Sequence, residues 1–138
     1  MRLLEATLTA INTYLRLPNA LRWFLEQGLC RFTPWHLVSE PSQGESAAKA
    51  FCQEDLKKRQ VVVFAYRQDC DDFAGLEVVA GLISDRVICF HPSFGQNVAG
   101  WSIVDAEYED VFEFVAQRVV PDMREWALTE DASCLTPQ

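Results

Sequence analysis

Apolar and polar positions alternate along this chain in two successive rhythms. Leu3, Leu4, Thr7, Leu8, Ile11, Tyr14 and Leu15 recur at helical spacing, which predicts an amphipathic helix over 2–16. Pro18 breaks that pattern. A second helix follows with Leu21, Phe24 and Leu25 on one face, Asn19 as its cap or first-turn residue and Gly28 as its stop. Pro34 and Trp35 open a short extended stretch to Val38, and residues 39–44 read as a loop. A third helix is predicted over 45–58, with Ala47, Ala50, Phe51 and Leu56 inward and Lys57, Lys58 and Arg59 complementing the dipole at its end.

The rhythm then changes from helical to strand-like. Residues 61–66, 76–81 and 86–90 are rich in Val, Ile and Phe and predict three strands. The short link at 82–86 makes the last two an antiparallel hairpin. After a loop at 91–97, residues 100–104 suggest a further short strand. Asp105 is then the expected N-cap of a closing helix, with Glu107 and Glu109 in its first turn and Tyr108, Val111, Phe112, Val115 and Val119 along one face. Pro121 is expected to kink that helix or restart it over 122–126. Helices, a small central antiparallel sheet and a closing helix make an α+β domain over 1–128, and the unpatterned residues 129–138 are expected to be a flexible tail.

Composition narrows the class. At 138 residues with 49% hydrophobic content, the chain fits one domain with a real core. No stretch has the long uncharged apolar run of a membrane helix. Glu5 and the polar Thr7, Thr9, Asn12 and Thr13 interrupt the apolar core that a signal peptide needs. Five cysteines, an odd number without a Cys-x-x-Cys pair, read as free thiols in a reducing compartment, so a cytoplasmic location is expected.

Charge is unevenly placed. Residues 1–60 hold 8 Lys or Arg against 6 Asp or Glu, and residues 61–138 hold 4 against 14; the balances of +2 and −10 give the net −8. An acidic C-terminal half repels phosphates and lipid headgroups, which argues against nucleic acid or membrane as a direct partner and for a basic protein. The plainer reading is that the acidity keeps the domain soluble.

The sharpest local feature is Asp69, Asp71 and Asp72, set in a turn between two apolar runs. Clustered carboxylates repel one another unless water, a cation or a basic partner screens them. They either bond nearby turn amides or face a partner, and the two roles can coexist. An EF-hand is not supported: the segment lacks the turn glycine, and Ala80 stands where the closing Glu belongs. Cys70 lies among negative charges that raise its pKa, which makes it a poor nucleophile. Cys89 and His91 alternate on one strand face, but no second pair completes a zinc site. No phosphate loop or Ser or Cys nucleophile setting is present, and His36 and His91 are the two histidines. A small metal-dependent or carboxylate-based enzyme centred on Asp69, Asp71, Asp72 and His91 remains the alternative of a different class. Trp101, after a glycine and beside a loop, is the best candidate for an interface anchor, with core packing as its other fate. Trp23 and Trp126 fit amphipathic helices as core or partly buried residues. Glu107, Glu109, Asp110 and Glu113 form an acidic helix start that is either a solvated face or an extension of the acidic turn.

Residues 63–74, Val-Phe-Ala-Tyr-Arg-Gln-Asp-Cys-Asp-Asp-Phe-Ala, resemble the central strand-turn-strand of the SUKH superfamily, the SMI/KNR-like proteins. Leu17-Pro18, Pro34-Trp35, Gly100-Trp101 and the run from Tyr108 to Trp126 stand in the order that family shows. Tyr66 and Pro121 depart from its pattern. The resemblance implies a SUKH-like α+β domain that binds protein. Many bacterial members look like immunity proteins that neutralise a cognate toxin, often a nuclease, and eukaryotic relatives look like regulatory adaptors. The expected function is therefore a non-enzymatic, cofactor-free domain that binds a basic toxin through Asp69, Asp71, Asp72, Trp101, Glu107, Glu109, Asp110 and Glu113, or an adaptor with a different client.

Overall fold

The computed structural model describes residues 14–38, 44–96 and 101–135. Residues 14–16 are helical, and the rest of the helix predicted over 2–16 lies outside the described residues. The elements that follow are α1 (Asn19–Glu26), β1 (Arg31–Phe32), β2 (Trp35–Leu37), α2 (Glu45–Glu54), β3 (Gln60–Arg67), β4 (Phe73–Val79), β5 (Leu82–Phe90), β6 (Val104–Tyr108), α3 (Val111–Phe114), a π-helical turn (Val115–Val119) and α4 (Val120–Ala127). A 3-10 turn, Ala132–Leu135, closes the described chain, and the Leu135 carbonyl accepts from Arg31. This is the expected α+β class with a central antiparallel sheet.

The sheet has six strands in chain order, β1-β2-β3-β4-β5-β6, each antiparallel to its neighbours. Both faces are covered, which is why 87–90, Val-Ile-Cys-Phe, is apolar at every position rather than alternating. Val87 and Cys89 face one core cluster, and Ile88 and Phe90 face the other. The first cluster packs Leu21 and Phe24 of α1 and Val111, Phe114 and Val119 of the closing helices against Trp35, Phe64 and Leu76. The second seats Ala47 and Phe51 of α2 on Val61, Val63, Ile88 and Phe90. A bulge between Val63 and Ala65 places the consecutive residues Phe64 and Ala65 in the same cluster.

Several boundaries differ from expectation, each for a local reason. The turn predicted at 82–86 lies at Ala80 and Gly81, whose φ values of +51° and +78° make the two-residue reversal that joins strands without splaying them. Leu82 to Arg86 are therefore strand. The helix predicted to 58 ends at Glu54, because Asp55 turns extended (φ −69°, ψ 128°) and grips Arg59. Leu56, expected inward, is 98% exposed as a result. Asp105 is not a helix N-cap. Residues 104–108 pair with β5 as a strand, and Asp110 caps the helix instead, its side chain accepting from the Glu113 amide at 2.9 Å. The strand expected at 100–104 begins at Val104, and Gly100 lies outside the described residues. Ahead of Pro121 the helical ladder widens, with the Val120 amide bonding the Val115 carbonyl five residues back. Proline has no N–H, and its ring crowds the carbonyl four residues earlier, so a π turn followed by a restarted helix relieves both problems.

Candidate functional site

The acidic turn joins β3 to β4. The Arg67 amide donates to the Asp72 carbonyl at 2.9 Å and closes the turn, while the Gln68 amide donates to the Pro34 carbonyl at 3.0 Å and ties it to the neighbouring segment. These backbone bonds hold the three aspartates apart and give each a different environment.

Asp69 folds back on Arg67, which donates to both of its oxygens at 2.8 and 3.0 Å. That pairing holds the Asp69 carboxyl below its usual range. Asp72 points the other way, accepting from His91 Nδ1 at 2.7 Å and Arg118 at 3.4 Å. Its side chain is 19% exposed. Asp71 is exposed, as Asp69 is, but among the described residues no ion pair engages it. The acidic turn is thus one free carboxylate between two that are partly neutralised from within.

Arg118, on the π turn, is the hub of that neutralisation. It donates to Asp105, to Asp122 at 3.1 Å and to Asp72, and it lies over the Trp35 ring with 5.8 Å to the centroid. Asp122 Oδ2 also accepts from Trp35 Nε1 at 2.9 Å and from Arg67 at 3.2 Å. Asp105 arrives by way of a bulge. Cys89 pairs with Ala106 and Phe90 with Val104, which leaves Asp105 unpaired between them and free to meet Arg118. Burial alone would weaken the Arg118 cation, but the Asp105 bond and the charges of Asp105 and Asp122 outweigh it and strengthen it.

Glu107, Glu109, Asp110 and Glu113 lie elsewhere. Phe73 pairs with Phe90, and Phe90 with Val104, so the acidic turn sits beside the first residue of β6. The helix start lies beyond its last residue, about 13 Å away along the strand at ~3.3 Å per residue. Glu107 is opposite Ile88 and accepts from Arg59 at 3.1 Å and Arg86 at 3.0 Å. Glu109 is exposed, Asp110 is used as the cap, and Glu113 is half-buried. The carboxylates that gather at the turn are Asp105 and Asp122, neither of which stood out in the sequence as a site residue.

Trp101 does meet the turn. It is 46% exposed, and its Nε1 donates to the His91 carbonyl at 3.1 Å. Its ring is edge-on to His91, 5.4 Å between centroids. Asp71, His91, Phe94 and Trp101 line one surface cleft of about 220 Å³. No family model matches the chain, and no curated protein or solved structure does. The chemistry of the site therefore rests on its own geometry. Among the described residues no group of three or more His, Cys, Asp or Glu side chains is placed to hold a metal ion. Asp69, Asp71, Asp72 and His91, the set an enzyme would need, point to different places, and only Asp72 and His91 touch. Two thiols near the site are muted: burial pushes Cys89 up to about 12, and partial burial followed by the Asp72 and Asp69 charges pushes Cys70 up to about 11. No helix among the described residues is long and apolar enough to cross a membrane.

Proposed function

We propose that this chain is a non-enzymatic binding domain for a basic protein, docking it at the cleft between Asp71 and Trp101. The SUKH resemblance makes an immunity protein that neutralises a cognate bacterial toxin, such as a nuclease, the specific form of that reading. What carries it is the meeting of two elements distant in sequence. The acidic turn supplies an unpaired carboxylate, and the segment before β6 sets a half-exposed tryptophan beside it. Exposed aromatic anchors beside a complementary charge are the ordinary makings of a protein interface. The surplus of carboxylates in residues 61–138 adds long-range attraction for a basic partner.

The pairing pattern decides which variant tests this. Asp69 and Asp72 hold structural ion pairs, so neutralising all three aspartates would confound binding with folding. Wild type and an Asp71→Asn, Trp101→Ala double variant serve as baits for the product of the adjacent open reading frame. Capture of one basic toxin-like protein by wild type, with capture lost in the double variant, supports the proposal. Equal capture moves the interface elsewhere, and no specific partner rejects the immunity reading. With the partner in hand, the association rate should fall about tenfold between low and high salt, and a salt-insensitive rate would reject steering.

A further inference from the structure

Phe94 has the left-handed backbone that L side chains rarely adopt, with φ +51°, and its ring is half exposed. Glycine would take that backbone without strain. The conformation is held from outside the loop. Glu54, the last residue of α2, accepts from the Ser93 amide at 2.8 Å, the Ser93 hydroxyl at 2.7 Å and the Phe94 amide at 3.1 Å. The Gln96 amide then closes the turn on the Ser93 carbonyl at 3.3 Å. A carboxylate with three donors thus clamps a strained turn whose outcome is an aromatic ring set on the surface. That ring borders the cleft of Asp71 and Trp101, and among the described residues no lysine or arginine lines it.

We propose that Asp71, Phe94 and Trp101 receive one basic side chain, arginine or lysine, from the protein partner, and that Glu54 is the positioning residue that presents Phe94. This deepens the binding proposal and rests on it. Two aromatic faces attract a cation through their quadrupoles, and the adjacent carboxylate supplies the counter-charge. Arginine fits both at once, because its planar fork stacks on a ring while donating to a carboxylate.

The test uses the full chain and an acetylated, amidated Gly-Gly-Arg-Gly-Gly peptide, with its uncharged citrulline counterpart as control. The indole N–H resonance of Trp101, assigned by its loss in Trp101→Phe, is followed by NMR. The arginine peptide should move it saturably and the citrulline peptide should not. Asp71→Asn and Phe94→Ala should each weaken binding about fivefold. Glu54→Gln should weaken it as well and speed hydrogen exchange at the Phe94 amide. Phe94→Gly separates presentation from packing: binding should fall while the melting temperature stays within about 2 °C, because lost contacts are offset by relieved strain. Equal response to citrulline, no response by about 20 mM peptide, or a drop of more than about 5 °C in Phe94→Gly would overturn the assignment. Partner capture that is lost in the Asp71→Asn, Trp101→Ala variant, with a silent peptide, overturns the basic-side-chain assignment and leaves the binding proposal standing. Peptide binding without any captured partner does the reverse.

Discussion

Replacing Arg118 with methionine should cost about 3 kcal/mol, a large share of the roughly 5–15 kcal/mol by which such a domain is stable. The value follows from the surroundings of the guanidinium. Its bond to Asp122 joins side chains that are 19% and 16% exposed. A charge-assisted bond so sheltered is worth about 1.5–2 kcal/mol. The Asp105 partner is 52% exposed. It therefore adds no more than about 0.5 kcal/mol. The 3.4 Å contact to Asp72 is long and adds little more. Stacking over Trp35 contributes about 0.5–1 kcal/mol. Methionine keeps much of the apolar stem, so the loss reports on the charge rather than on a cavity. The assay is urea unfolding at neutral pH with the slope unchanged, together with a double-mutant cycle through Asp122→Asn. That cycle should return a coupling of about 1–2 kcal/mol. A loss below about 1 kcal/mol, or no coupling, would refute Arg118 as the tie between the closing helix and the acidic turn.

Gly75→Ala should destabilise by about 2–3 kcal/mol, because the new Cβ would lie 2.7 Å from Val61 Cβ, and a Val61→Ala partner mutation should recover part of the loss in the same unfolding assay. Asp55, Asp69 and Glu107 have carboxyls held below their ordinary values of 3.8 and 4.5: for Asp55 and Glu107 burial works against this but the arginine bonds outweigh it, and for Asp69 the Arg67 bond is the chief cause. In that range the unfolded chain binds more protons, so their stabilisation is full above the unfolded values and is lost as pH falls through the folded ones. Urea midpoints should drop on acidification below about pH 4.5, less steeply in Asp55→Asn, and a flat profile would contradict the pairing. Cys70, although exposed, should carry roughly a hundredfold less thiolate at pH 8 than an ordinary cysteine, which slow iodoacetamide labelling of the native protein would confirm and rapid labelling would disprove.

What the sequence disclosed of this molecule was its short-range part. The run from Val61 to Tyr66 announced β3, and Leu21 and Phe24 announced the buried face of α1, because period and propensity act over a few residues. β6 was misread because Asp-Ala-Glu-Tyr has the polarity of a helix start, and only its pairing with β5 makes it a strand. The turn at Ala80 was hidden by a Gly that fitted the end of the strand pattern equally well. At the site, Asp71 and Trp101 were named from the sequence and lie together. Arg67, Arg118, Asp122, Glu54 and Phe94 were missed. Their roles depend on contacts across 39–55 positions for Glu54 to Ser93, Arg118 to Asp72 and Arg67 to Asp122, and no local pattern encodes those. The one sequence clue was Pro121, whose departure from helical order marks the π turn that carries Arg118.

The strand order has a consequence for how the proposed interface could change. Because each strand lies beside its neighbour in the chain, β5 and β6 are joined across a single antiparallel step. Phe94 and Trp101 lie between those strands with their rings exposed, while the ladders on either side are fixed by their own pairing. Lengthening or recomposing the connection between β5 and β6 costs loop entropy that grows only slowly with length. On the binding proposal, the sheet would then act as a fixed chassis with an exchangeable recognition cassette, in which partner choice could be rewritten without refolding the frame.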